Sequence, residues 1–157
     1  MSQQGTRAFY QITDTIKDQL LADHNCKTVT FGNISDIDLS KQTIFPLSHI
    51  MINNVTFAQN TVSFNVSVLS MDVVDQSKDE VVDIFNGNNN LQDVLNTQLA
   101  VQNRLVLEMK RGDLYSGNYQ IEGDPSCEPF VDRFENLVGG WTCTFDVLTN
   151  NDISTCD

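Results

Sequence analysis

The first periodic stretch of the chain spaces Phe9, Ile12, Ile16 and Leu20 at intervals of three and four residues, with Asp14, Lys17 and Asp18 largely on the other side. That spacing puts the apolar side chains on one stripe of an amphipathic helix and predicts its end near residues 23–25. The residues before it, 1–7, are polar and include a glycine, the composition of a loose arm. Thr28–Phe31 reads as a short strand, and Gly32-Asn33 as the polar turn after it. Residues 36–42 alternate Ile37 and Leu39 with polar neighbours and lead into Ile44-Phe45-Pro46.

The strongest strand signal lies in residues 49–57 and 61–74. Ala58-Gln59-Asn60 separates the two runs, which predicts an antiparallel hairpin. Val62, Phe64, Val66 and Val68 share one face of its second arm, after which the apolar set moves to Leu69, Met71 and Val73. A slip of one residue exchanges the two faces of a strand, so this switch predicts a β-bulge near Val68 and Leu69. Residues 75–90 break the pattern. Asp75, Asp79, Glu80 and Asp83 surround an apolar patch, and a run of asparagines follows. An exposed loop has no need of such a patch, which makes Val81, Val82, Ile84 and Phe85 the candidate contact with a neighbouring subunit.

A second helix is marked at both ends. Asn90 suits its cap, Asp93 its positive pole, and Lys110 and Arg111 its last turn before Gly112. Between them Leu91, Val94, Leu95, Leu99, Val101, Leu105, Val106 and Met109 cover one broad face. Residues 115–124 read as a polar connection with glycines at 117 and 123. Residues 130–137 and 140–148 then flank Val138-Gly139 as a final hairpin, with Trp141, Cys143, Phe145 and Val147 on one face. The order predicts an α+β fold, a mostly antiparallel sheet with two main helices packed on one face. One domain is expected over residues 8–149, between the arm and a polar tail at 150–157.

Composition narrows the function more than the fold. A chain of 157 residues with a hydrophobic fraction of 40% sustains a core without a metal or disulfide. No apolar run approaches the ~18 residues of a membrane span, and no charged-then-apolar leader opens the sequence. The expectation is a protein made in the cytosol and used there unless a virion carries it out. A formal charge of -12 disfavours broad adhesion to nucleic-acid phosphates, since few cations are present to displace counterions. Cys26, Cys127, Cys143 and Cys156 form no C-x-x-C pair and match no zinc spacing, so reduced structural thiols are expected.

Candidate chemistry is sparse. The sequence holds no phosphate-binding glycine loop, dinucleotide fingerprint or H-E-x-x-H motif. Ser48 and His49 are adjacent, but a serine–histidine pair works through spatial geometry, and His49 suits the start of a strand. His24 is the other histidine. Asp36 and Asp38 lack the later ligands and glycine of a calcium loop and read as solvated acids. From the residues alone, a non-enzymatic interaction protein with no catalytic, cofactor or metal residue is expected.

Several passages carry a resemblance: Phe9-Tyr10-Gln11-Ile12-Thr13-Asp14-Thr15-Ile16, Thr43-Ile44-Phe45-Pro46-Leu47-Ser48-His49, Ser70-Met71-Asp72-Val73-Val74-Asp75, Gln92-Asp93-Val94-Leu95-Asn96-Thr97, Cys127-Glu128-Pro129-Phe130 and Gly140-Trp141-Thr142. Together they resemble the small neck and tail-completion proteins of tailed bacteriophages, particularly those of Bacteroidetes-infecting and marine viruses. The element order is similar to that of tail terminators: an amino-terminal helix, an Ile-Phe-Pro-like lead into a strand, a long hairpin, a second helix and a final strand pair. The resemblance implies a self-assembled ring, typically hexameric, that caps the tail tube, stops its polymerisation and meets the head connector in the virion neck. DNA then transits the lumen without specific binding. Six copies at -12 carry -72, a field to which phosphate does not adhere. The alternative is a head-side connector or adaptor ring below the portal, a class that is often helix-dominated, whereas this chain is rich in strands.

Overall fold

A computed structural model describes residues 7–33, 44–74, 90–111, 120–133 and 137–150. Helix α1 (Arg7–Leu21) forms on the predicted stripe: Ile12, Ile16 and Leu20 are buried, while Asp14, Lys17 and Asp18 stay in solvent. It ends at Leu21, short of residues 23–25, because Asp23 turns the chain: its carboxylate accepts the Asn25 amide and its carbonyl the Cys26 amide. Strands β1 (Thr28–Phe31), β2 (Leu47–Phe57) and β3 (Thr61–Val73) follow, then helix α2 (Leu91–Arg111) and strands β4 (Gln120–Arg133) and β5 (Leu137–Asn150).

The strands form one five-stranded sheet in the order β1-β2-β3-β5-β4. Only β1 and β2 run parallel; every other neighbour is antiparallel, so the α+β architecture stands. The Pro46 carbonyl ties the two parallel strands together at their start by accepting the Lys27 and Thr28 amides. Both helices lie on the same face. Ile12, Ile16 and Leu20 of α1 and Val101, Leu105 and Met109 of α2 cover Ile50, Val62, Phe64, Val66, Val68, Cys143, Phe145 and Val147. Trp141 belongs to that face as well, its indole N–H donating to the Leu95 carbonyl at 2.7 Å.

The opposite face is divided. Toward the β2–β3 turn it is polar: the Asn53 amide donates to Asn65 and Ser67, the Asn65 amide to Asp146, and Ser67 meets Thr144, a ladder across three strands. At the other end Phe45, Leu47, Leu69, Met71 and Val138 form a second apolar cluster. This division corrects the expectation of a bulge near Val68 and Leu69. β3 keeps one register with β5 from Thr61 to Val73, and its apolar residues change side because a second core takes over on the other face. The bulge lies in β2, where Ile52 pairs with Val66 and Asn54 with Asn65, leaving Asn53 as the extra residue.

The final hairpin forms, but not around Val138-Gly139. These residues are inside β5, opposite Val73 and Asp72, and residues 120–124 belong to β4 rather than to a connection. The glycines answer crowding instead of a turn. A Cβ on Gly140 would lie 1.9 Å from the Ser70 carbonyl oxygen, and one on Gly139 would lie 2.9 Å from the Leu91 side chain at the start of α2. The broad apolar face of α2 also needs correction. Leu99 is 40% exposed, while Gln98 and Gln102 are buried between the helix and the sheet. Gln102 donates to the Val68 carbonyl at 2.7 Å and Gln98 to the Asn25 carbonyl at 3.5 Å. Among the described residues, no helix is long and apolar enough to cross a membrane.

Candidate interaction surface

The two edges of the sheet are built differently. β4 presents Glu122, Asp124 and Glu128 to solvent, contains Pro125 and Pro129, and slips register between Glu122 and Ser126, where Gly123 takes a φ of 73°. Charge, proline and irregularity are the features that keep an edge strand from pairing with another chain. Lys110 at the end of α2 reaches this edge and bonds Asp124 at 2.6 Å, a contact that holds the exposed carboxyl below its usual range.

β1, at the other edge, has none of these guards. Its sequence, Thr28-Val29-Thr30-Phe31, is uncharged and free of proline, and among the described residues it pairs only with β2. At ~3.3 Å per residue the edge is roughly 13 Å long. Beside it α1 and β1 enclose a groove of about 250 Å³, lined by Phe9, Tyr10, Thr13, Asp14, Lys17, Val29, Thr30, Phe31 and Ile50. Phe9 anchors it, with ring contacts to Tyr10, Phe31 and Phe64 at centroid distances of 6.1, 5.9 and 6.2 Å. Tyr10 and Phe31 are each 53% exposed. Two large aromatic rings half in water beside an unguarded strand edge form a surface suited to burial by another polypeptide. Phe9 belonged to the predicted helix stripe and Phe31 to the predicted strand. Their meeting, with Phe9 packed on the core and Phe31 half in water, follows from β1 being the outermost strand among the described residues.

The predicted polar candidates sort differently. His49 is wholly buried on the outer face of β2, within hydrogen-bond distance of the Thr30 hydroxyl at Nδ1 and the Gly32 carbonyl at Nε2, each 2.7 Å away. The carbonyl can only accept, so Nε2 carries the proton and Nδ1 accepts from Thr30. Burial lowers the imidazole's pKa, outweighing the raising effect of the Gly32 bond. Both nitrogens are thus engaged in fastening β1 to β2. Gly32 turns the chain at φ 110°, the left-handed region that favours glycine. Ser48 faces the opposite side, toward Ser70 and Cys26, and forms no pair with His49. His24 is exposed.

An ion pair that the sequence does not announce joins α2 to the turn after α1. Arg104 of α2 grips Asp23 through Nε at 2.5 Å and through the terminal nitrogen at 2.8 Å. Burial raises the Asp23 pKa, but the Arg104 bond, the Asn25 amide and the guanidinium charge outweigh it, and the carboxyl titrates below its ordinary range. Among the described residues, no cluster of three histidine, cysteine or acidic side chains is placed to hold a metal ion. Val81, Val82, Ile84 and Phe85, the contact expected from sequence, lie outside the described residues, as do Asp36, Asp38 and Cys156. Compared with known proteins, the sequence matches no protein-family model and no curated protein.

Proposed function

We propose that the chain is a structural protein of a tailed-phage neck, a tail terminator whose copies form a ring that caps the tail tube, stops its polymerisation and meets the head connector. The observation that supports this best is the order of elements. An amino-terminal helix precedes Ile44-Phe45-Pro46, a long β2–β3 hairpin, a second helix and a last strand pair, the succession that the resemblance to tail terminators implies. The unguarded β1 edge and the groove beside Phe9, Tyr10 and Phe31 give the next copy of the chain both main-chain partners and an apolar seat. Head-to-tail contacts of this kind close into rings when the rotation between copies permits. The acidic surface, with Asp14, Asp18, Glu122, Asp124 and Glu128 all exposed, suits a lumen that DNA crosses without adhering.

The test combines particles made without the protein and the symmetry of the assembled ring. Tails of uncontrolled length, or tails unable to join heads, are expected with DNA packaging intact, and the ring should be six-fold. Replacing Tyr10 and Phe31 with Ser should weaken ring formation while leaving the circular dichroism of the isolated chain unchanged. A twelve-fold ring seated directly on the portal would overturn this reading in favour of a head-side connector.

A further inference from the structure

Cys127 of the edge strand β4 and Cys143 of β5 stand directly opposite each other in an antiparallel pair. Both point to the helix-covered face: Cys143 is 0% exposed, and Cys127 is half-buried and packed against the same core. Directly opposed residues in antiparallel strands have Cα atoms ~4.5 or ~5.5 Å apart, depending on the hydrogen-bonding pattern. Either distance falls within the ~4.4–6.8 Å that a disulfide spans. Burial, together with the neighbouring Cys127 thiol, pushes the Cys143 thiol well above its usual range. Both cysteines are free. Cys26 is a separate case, buried beside Ser48 and bonded to its hydroxyl.

We propose that Cys127 and Cys143 form an oxidisable dithiol, a modification site at which a peroxide converts the reduced pair into a cross-strand disulfide. Cys127, the thiol that solvent reaches, meets the oxidant. Its thiolate attacks one peroxide oxygen, the O–O bond breaks, and a sulfenic acid forms with release of water. The Cys143 sulfur then attacks the Cys127 sulfur, the S–O bond breaks, and the departing hydroxide leaves as water with the Cys143 proton. Two thiols lose two electrons and one hydrogen peroxide becomes two waters. The new bond pins β4 to β5 one residue beyond Ser126, where their register resumes after its slip, so it closes the least regular part of the sheet. The inference is independent of what the chain assembles into.

The experiment uses the full chain, purified reduced and treated with hydrogen peroxide, then denatured, alkylated and digested. Two fewer alkylated thiols are expected, with the peptide carrying Cys127 joined to the one carrying Cys143 and the link reversed by dithiothreitol. Cys127→Ser should abolish the link. Cys143→Ser should leave a sulfenic acid at Cys127 that dimedone traps, a readout that does not depend on forming the disulfide. Full alkylation of both cysteines in folded, peroxide-treated protein would overturn the proposal. So would a link from Cys127 to Cys26, to Cys156 or to a second chain.

Discussion

Replacing Arg104 with Met retains much of the apolar stem and removes the guanidinium that spans to Asp23. The Asp23 side chain is only 5% exposed, so its carboxylate is left with the Asn25 amide as its remaining hydrogen-bond donor among the described residues. Breaking a fully buried pair costs ~3–5 kcal/mol, but Arg104 is 46% exposed and solvent screens part of that interaction. Hydrogen bonds to a charged group contribute ~1.5–3 kcal/mol, which puts the expected loss at about 2 kcal/mol. With a urea slope of ~2 kcal/mol/M, the unfolding midpoint should fall by about 1 M. The pH dependence carries a definite sign. The folded-state pKa of Asp23 is depressed below 3.8, so the stabilisation is fully present above that value and is lost as pH falls through the folded pKa. The gap between wild type and Arg104→Met should therefore be open at neutral pH and close in acid below pH ~4. Asp23→Asn should remove most of the effect of the second substitution in a double-mutant cycle. A midpoint shift below about 0.2 M, or a gap that persists unchanged at pH 2, would refute the reasoning.

Gly140→Ala should cost about 3 kcal/mol, the upper end of the overpacking range, because the added methyl meets backbone oxygen of β3. Gly139→Ala meets the ends of the Leu91 and Val74 side chains and should cost about 1 kcal/mol; equal losses in urea unfolding would contradict the steric account. His49 has a depressed folded pKa, so the unfolded chain takes up its proton first and stability falls as pH drops below 6.5. His49→Gln should flatten that limb, whose slope from one proton is at most about 1.4 kcal/mol per pH unit, and an unchanged slope would show that another group controls it.

Periodicity made the two helices and the β2–β3 hairpin legible, because each buries one face against a partner. Trp141, Cys143, Phe145 and Val147 were readable for the same reason. The errors fall where one signal has two physical causes. Gly139 and Gly140 look like a turn, but they are strand residues in places where a neighbouring backbone and α2 leave no room for a Cβ. Leu69, Met71 and Val73 look like a slipped register, but they face a second core. Gln98 and Gln102 interrupt the apolar stripe of α2 without leaving the interior: the NH2 group of each finds a carbonyl acceptor there, while each side-chain oxygen is buried with no partner among the described residues. The candidate surface was only half legible. Phe9 and Phe31 are conspicuous residues, yet their meeting at an open edge depends on strand order, which alternation along a chain does not encode. The opposition of Cys127 and Cys143 likewise follows from register, not from their spacing.

The strand order also has a consequence for synthesis. β3, at the centre of the sheet, receives β2 from its own hairpin but its other neighbour from the end of the chain: Ser67 and Thr144, which touch across β3 and β5, are 77 positions apart. At ~5–20 residues per second, the ribosome delivers that partner roughly 4–15 s after β3 itself. During that interval the nascent hairpin carries Phe64, Val66 and Val68 with one long main-chain edge still unpaired. Chaperone demand should therefore peak between the synthesis of β3 and that of β5, and chains truncated before residue 137 should aggregate rather than accumulate as a smaller folded unit.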